Sequence, residues 1–385
     1  MAKNHKIPKC PPLRFPEFAD EWKQTTLGEI AEIIQTRGKS NTLYLSVESF
    51  LPNFRGISVS LNGIQSSGVI FGTYDTLMSN IRPYLRKVWY ADCGGTCSSD
   101  VLVFRGKSVI HPRFLYTIIA NQSFVDYTMQ GAKGVKMPRG DKQQMLLYSL
   151  SLPSLAEQKK IASFLSLIDE RIQCLSETIK EIKTLKAGLL SLRVYQADKQ
   201  YVPLSYFGEM KHGYPFKSTS YDEDGTHRIV TISNVSGARY ADMSKCNYLA
   251  ELPHDIQQHQ ILSRNDILIS LTGNVGRVSF CLADGDLLNQ RVGVLSLCDE
   301  AYKEYIYQVL SDWRFEMSMV ACGQGAAQLN ISKSNVEGYL VPYEQSEYQE
   351  IGNFFSLLDD RIEIEEALLK QYEMQKKYLL RQMFI

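Results

Sequence analysis

The sequence predicts an α+β protein built as an internal repeat: two similar globular domains joined by two long antiparallel helices, with pseudo-two-fold symmetry. Three observations carry this. The nonapeptide FLSLIDERI at 164–172 recurs as FFSLLDDRI at 354–362, with six of nine positions identical at an offset of 190. Three more segments recur in the same order: Leu27-Gly28-Glu29-Ile30 against Phe207-Gly208-Glu209-Met210, YDTLMS (74–79) against NDILIS (265–270), and GAKGVKMPRGDK (131–142) against GQGAAQLNISKS (323–334). Finally, each repeat closes on a long stretch with helical apolar spacing. Ordered self-similarity of this kind outranks any single local motif.

Each half reads in the same order. Short runs rich in Val, Ile, Phe and Tyr come first: VIFGTYDTLMSNI and DVLVFR, then DILISL, RVSFCL and RVGVLSL in the second half. Such runs between turn residues predict strands. A helical stretch follows at about 111–128 and again at about 301–320, then a Gly-rich loop. A strand ending in proline, at Pro153 and Pro342, precedes each long helix. The implied division is a first domain at 1–155, a central helix at 156–196, a second domain at 197–342 and a final helix at 343–385.

The first long helix carries Ile161, Leu165, Ile168, Ile172, Leu175, Ile179, Ile182, Leu185, Leu189 and Leu192 at alternating steps of three and four, with one slip near Leu185. That is a heptad seam of about four repeats, on a rod about 60 Å long at 1.5 Å per residue. The second carries Ile351, Phe355, Leu358 and Ile362, continued more loosely by Leu369, Tyr372, Leu379 and Met383. So narrow a seam needs a long partner helix, and the available one is its own repeat. Two separate amphipathic helices, each packed on its own domain, are the alternative.

Composition sets the bounds. Of 385 residues, 44% are apolar, enough for sizeable cores, yet no run of about 18 apolar residues suggests a membrane span. The start, MAKNHKIPKCPPLRF, has no apolar stretch of the signal-peptide kind. Eight scattered cysteines, of which Cys93 and Cys97 are closest, argue against zinc, and with no export signal reduced thiols in a cytoplasm are the default expectation. The chain has zero net charge, unevenly spread: 18 Lys and Arg against 11 Asp and Glu in 1–155, but 12 against 17 in 197–342. The first domain therefore suits a polyanion better than the second.

Catalytic signatures are missing. No P-loop occurs. The single Pro-Pro, in Cys10-Pro11-Pro12-Leu13, lacks the polar residue and the ring of an adenine-methyltransferase loop. Glu181-Ile182-Lys183 imitates part of a nuclease motif, but Ile182 is a seam residue and the structural role is preferred. The histidines lie far apart except His254 and His259, and no set of residues has metal-ligand spacing. No catalytic, cofactor or metal residue is expected in this chain.

PPLRFPEFADEW at 11–22 with LGEIAEI at 27–33, and LPSLAEQKKIASFLSLIDERI at 152–172, resemble the DNA-specificity subunits of type I restriction–modification systems. The resemblance implies two target-recognition domains, each reading half of a bipartite site on double-stranded DNA, and a coiled-coil spacer between them. It also implies assembly with two modification (methyltransferase) subunits and with restriction (nuclease-translocase) subunits. S-adenosylmethionine, ATP and magnesium would then sit on those partners and none on this chain. One departure stands out: the second half has SEYQEI where the first has AEQKKI. The competing functions are a stand-alone bipartite DNA-binding regulator, which would bind tightly by itself, and a coiled-coil scaffold, which would show no DNA specificity.

Candidate DNA contacts follow from chemistry. In the first domain Lys133, Lys136, Arg139 and Lys142 crowd a loop whose glycines allow close backbone approach. Asn80, Arg82, Arg86 and Lys87 gather at a strand end. In the second domain the corresponding groups are polar: Thr272, Asn274 and Arg277; Gln290 and Arg291; and Gln324, Gln328, Asn330 and Lys333. Asn and Gln can hold adenine bidentately. For all of them an ordinary solvated or internally paired surface group is the alternative.

Overall fold

The computed structural model describes residues 10–58, 66–196, 199–323, 329–343 and 346–384. It divides into two compact units, the first comprising Met1–Leu175 with Leu368–Ile385, the second Ser176–Ala367. The helices are α1 (Leu27–Ile30), α2 (Pro112–Ile119), α3 (Gln122–Gln130), α4 (Lys142–Leu146), α5 (Leu155–Arg193), α6 (Lys303–Leu310), α7 (Trp313–Cys322), α8 (Lys333–Glu337) and α9 (Tyr348–Gln382).

Within the first unit a four-stranded antiparallel sheet runs in the order Ala31–Ile34, Val101–Gly106, Thr76–Ser79, Val88–Tyr90. The second unit has the same sheet in the order Gly208–His212, Val292–Leu297, Ile267–Ser270, Val278–Phe280. Register is repeated too: Thr76 faces Tyr90 and Phe104, and Ile267 faces Phe280 and Leu295. A tight turn before the third strand of each sheet is held alike. Tyr74 and Asn265 take left-handed backbone (φ 74° and 67°). The carboxylates of Asp75 and Asp266 accept from the N–H of Gly72 and Ser263, both at 2.7 Å. Left-handed backbone disfavours most L residues, so its recurrence at the same place is a strong mark of common architecture.

One pairing read from the sequence shifts by three residues. Leu27 N–H donates to Tyr148 O, and its counterpart is Leu204 N–H donating to Tyr339 O. The turn Leu27–Ile30 therefore matches Leu204–Phe207, not Phe207–Met210. What the fold requires is a buried residue at each end of the turn; Leu27, Ile30, Leu204 and Phe207 are all at most 2% exposed. The shared Gly-Glu dipeptide is coincidental.

The cores explain the long helices. In the first unit Met78, Phe104, Phe114 and Phe124 pack with Ile161, Leu165 and Ile168 of α5 and Leu379 and Met383 of α9. In the second, Ile267, Phe280, Tyr305 and Phe315 pack with Leu190 of α5 and Phe355 of α9. In each unit the two helices run antiparallel. Asp169 meets Lys376 at 2.5 Å while Arg171 lies over Tyr372 in the first. Lys183 meets Glu366 and Lys186 meets Asp359 in the second. Asp169 and Asp359, and Lys186 and Lys376, are repeat mates, so each unit uses the same ion pair with the helices exchanged.

Ile161, Leu165, Ile168, Leu175, Ile179, Phe355 and Ile362 are buried, and Ile172, Ile182, Ile351 and Leu358 are half-buried. Leu185 and Leu192 differ from the expected seam, being 54% and 68% exposed. Lys186 and Leu190 turn inward in their place, because an α-helix of 3.6 residues per turn drifts out of a strict 3.5 repeat.

The AEQKKI segment, which opens α5, has a packing role. Glu157 is 1% exposed and receives both Arg14 Nε (2.7 Å) and Arg14 Nη2 (2.8 Å). Thus the PPLRF and AEQKKI segments meet in one ion pair. Beside it, Gln158 accepts from His111 N–H (2.8 Å) and donates to Val109 O (3.2 Å) and Pro153 O (2.9 Å). In the second unit SEYQEI substitutes an aromatic contact, with Tyr348 stacked on Tyr302 at 4.0 Å. Gln158→Leu strands three backbone groups and is expected to cost about 1–3 kcal/mol. The readout is a lower urea midpoint at unchanged m-value; an unmoved midpoint would show that these bonds contribute nothing.

Candidate nucleic-acid interface

In the first unit the two basic segments come together. Ile81 bridges Arg139, and Arg82 N–H donates to Pro138 O at 2.8 Å. Asn80, at the end of strand Thr76–Ser79, is 7% exposed; its backbone O accepts from Gly140 N–H. Arg82 and Arg86 flank the single turn Pro83–Leu85, both in left-handed backbone (φ 51° and 57°). Non-glycine residues hold this conformation only where surroundings impose it.

The cations differ in how free they are. Arg86 donates to Asn53 and Gln122, and Lys87 to Val47 O. Lys133 pairs with Asp141 at 2.9 Å, and Arg139 with Asp100 at 3.2 Å. The Lys133 hydrogen bond, and then the N–H groups of Gln144 and Gln143, hold the Asp141 carboxyl below its usual range. Among the described residues Arg82, Lys136 and the exposed Lys142 have no side-chain partner, and Arg82 Nε is buried without one. Asp141 lies in the loop itself, whereas Asp100, the partner of Arg139, comes from a distant part of the chain that the loop's sequence does not show.

The second unit builds the same edge from polar residues. Thr272 bridges Asn330, the repeat counterpart of Ile81 and Arg139, and Thr272 Oγ1 lies 3.1 Å from Asn330 Oδ1. Gly273 N–H donates to Leu329 O and Ile331 N–H to Leu271 O. Ser332 caps α8, as Asp141 caps α4. Thr272, Gln290, Arg291, Asn330 and Lys333 line one open cleft of about 870 Å³, together with His212, Ser332 and Ser334. Those last three were missed. Ser332 and Ser334 sit inside a segment already singled out; His212 becomes visible only when its strand lies beside Val292–Leu297.

Arg291 and Gln290 are exposed. Lys333 pairs with Glu209 at 2.5 Å, and that bond raises the lysine pKa. Among the cleft's cations in the described residues, Arg291 is thus the one without a side-chain partner. Asn274 is exposed on the same turn as Thr272, while Arg277 reaches Glu316 at 3.6 Å and stays outside the cleft. Gln324 and Gln328 lie outside the described residues. Among the described residues no His, Cys, Asp and Glu cluster could hold a metal ion, and no helix is long and apolar enough to cross a membrane.

The chain resembles proteins of one kind. It is 22% identical to the type I restriction enzyme MjaVIII specificity subunit of Methanocaldococcus jannaschii, over 96% of this chain and 92% of that one. It is 27% identical to the EcoDI specificity subunit of Escherichia coli, over 38% of this chain; the match spans about a third (34%) of that relative. Its fold matches the type I restriction–modification S subunit from M. genitalium with a TM-score of 0.65, at 18% identity, covering 98% of this chain and 99% of that one. The family model described as type I restriction modification DNA specificity domain matches twice, at residues 19–184 and 197–374, once on each repeat. The chain belongs to the type I restriction modification DNA specificity family, as a DNA-recognition component and not a catalytic one.

Proposed function

We propose that each repeat reads one half of a two-part site on double-stranded DNA, and that the long helices set the gap and carry docking faces for modification subunits. The observation that supports this best is the repeated polar edge. The 80–86 turn joined to the 133–139 loop in one unit has its counterpart in the 272–277 turn joined to 329–331 in the other. Lys136, Arg82 and Lys133 supply phosphate contacts in this reading, and Gln290, Arg291, Asn330 and Thr272 read base edges. Phosphate contacts fix register and base contacts fix identity. S-adenosylmethionine, ATP and magnesium belong to modification and restriction partners, in a cytoplasmic complex.

Sequencing of methylated sites in a host carrying the whole system tests the reading. Two short motifs separated by a gap of fixed length are expected; one uninterrupted motif would overturn it. For the assembled complex, Lys136→Ala is expected to weaken binding on all sequences alike. It should reduce the salt slope by about one unit. Lys133→Ala is expected to do less, because Asp141 already neutralises that lysine. An unchanged slope in the Lys136 variant removes it from the interface.

A further inference from the structure

The 133–139 loop is a small closed hairpin. Lys133 N–H donates to Arg139 O and Arg139 N–H to Lys133 O, each at 2.9 Å. Gly134 (φ +97°) makes its turn, and the bridge from Ile81 and the Arg82–Pro138 bond fasten one arm to the sheet. The cations at its base are occupied by Asp141 and Asp100. Its tip is mainly apolar: Val135 is 103% exposed and Met137 47%, with Lys136 between them. A single exposed apolar side chain is ordinary on a protein surface. Two at the tip of a tethered hairpin, around an unpaired lysine, form a finger with an apolar end.

We infer that this tip enters the major groove of the first half-site and that Val135 packs on the 5-methyl group of a thymine. The inference rests on the DNA-reading proposal above and adds a specificity-determining residue that charge alone does not reveal. The major groove admits a two-stranded ribbon, and the thymine methyl is the apolar group that base edges present there. Lys136 then lies within reach of a flanking phosphate. The hairpin is already closed by its own backbone bonds, so little ordering cost remains on binding.

The test uses the full chain assembled with its modification subunits. The probes are duplexes of the mapped methylation site in which each thymidine of the first half-site is replaced, one at a time, by deoxyuridine. One replacement is expected to weaken wild-type binding about fourfold, the ratio for burying one methyl-sized group. Val135→Ser should lose the same factor on the thymidine duplex and become indifferent to that replacement. Val135→Ile should keep the preference. Val135 is fully exposed, so these variants leave the core untouched. A Val135→Ser variant that still prefers the thymidine duplex as the wild type does, wild-type binding by that variant, or a first half-site without an A·T pair each overturn the inference alone. A wild-type complex that does not prefer the mapped site over a scrambled duplex overturns the DNA reading itself.

Discussion

Arg239→Ala is expected to destabilise the second unit by about 3–5 kcal/mol, the cost of removing one partner from a buried ionic network. Arg239 is 12% exposed. Its Nη2 donates to Glu304 (2.9 Å) and Ser356 Oγ (2.9 Å), and its Nη1 to Asp359 (3.2 Å). The guanidinium also lies over Phe280 and Tyr307, at 5.3 and 5.4 Å. Burial opposes its charge, but Glu304 and Asp359 outweigh burial and raise its pKa. Without it, Asp359 keeps Lys186 and Gln308, while Glu304 loses the cation that holds it. Lys186 is a weaker substitute, since burial lowers its pKa. Arg239→Lys retains charge but not the fork or the stacked plane, so an intermediate loss is expected. Denaturant unfolding of the full chain, with hydrogen exchange on α6 and the start of α9, reads the effect. A loss below about 1 kcal/mol would show that the network is solvent-screened in practice.

The first unit reaches the same arrangement from another place in the chain. Arg113 lies over Tyr90 and Tyr116, the counterparts of Phe280 and Tyr307, and donates to Ser166, the counterpart of Ser356. Yet Arg113 is on α2 and Arg239 in a loop, with no common offset. No repeat search finds such a pair, because the repeat preserves the pocket and not the residue that fills it. The same holds for Asp169 with Lys376: their kinship to Asp359 with Lys186 emerges only once the helices pair antiparallel.

What the sequence does carry plainly is local. Strand runs, proline-ended strands and the 164–172 and 354–362 helix starts need only neighbours along the chain, so the repeat and its architecture are legible. The site is legible as segments: the 80–86 and 133–139 groups stand out separately, and their junction through Ile81 and Arg139 does not. Nor does the order of importance among cations. Lys133 and Arg139 look as free as Lys136 until Asp141 and Asp100 are placed beside them. In the second domain, whose 197–342 segment carries more acidic than basic residues, a cleft in which Arg291 is the unpaired cation among the described residues, beside polar groups and the carboxylate of Glu337, fits recognition by hydrogen bonding better than by bulk attraction.

Replacing residues 1–155 by the matching domain of a relative is expected to change one half of the methylated site and leave the other half intact. This follows if each repeat reads alone, as the separately built cores of the two units support. Each altered base pair is worth about 1–3 kcal/mol, so a half-site changed at two positions shifts preference roughly thirtyfold or more. The cut at 155 separates Arg14 from Glu157 and Arg113 from Ser166. A donor lacking an arginine equivalent to Arg14 leaves a carboxylate buried at 1% exposure without its cation, at a cost of about 3–5 kcal/mol. Donors should therefore keep both arginines, and a failed chimera is rescued by restoring Arg14. Sequencing the methylated sites of a folded chimera gives the answer. If both halves of the site change together, the two repeats act as one reader and the division of labour proposed here is wrong.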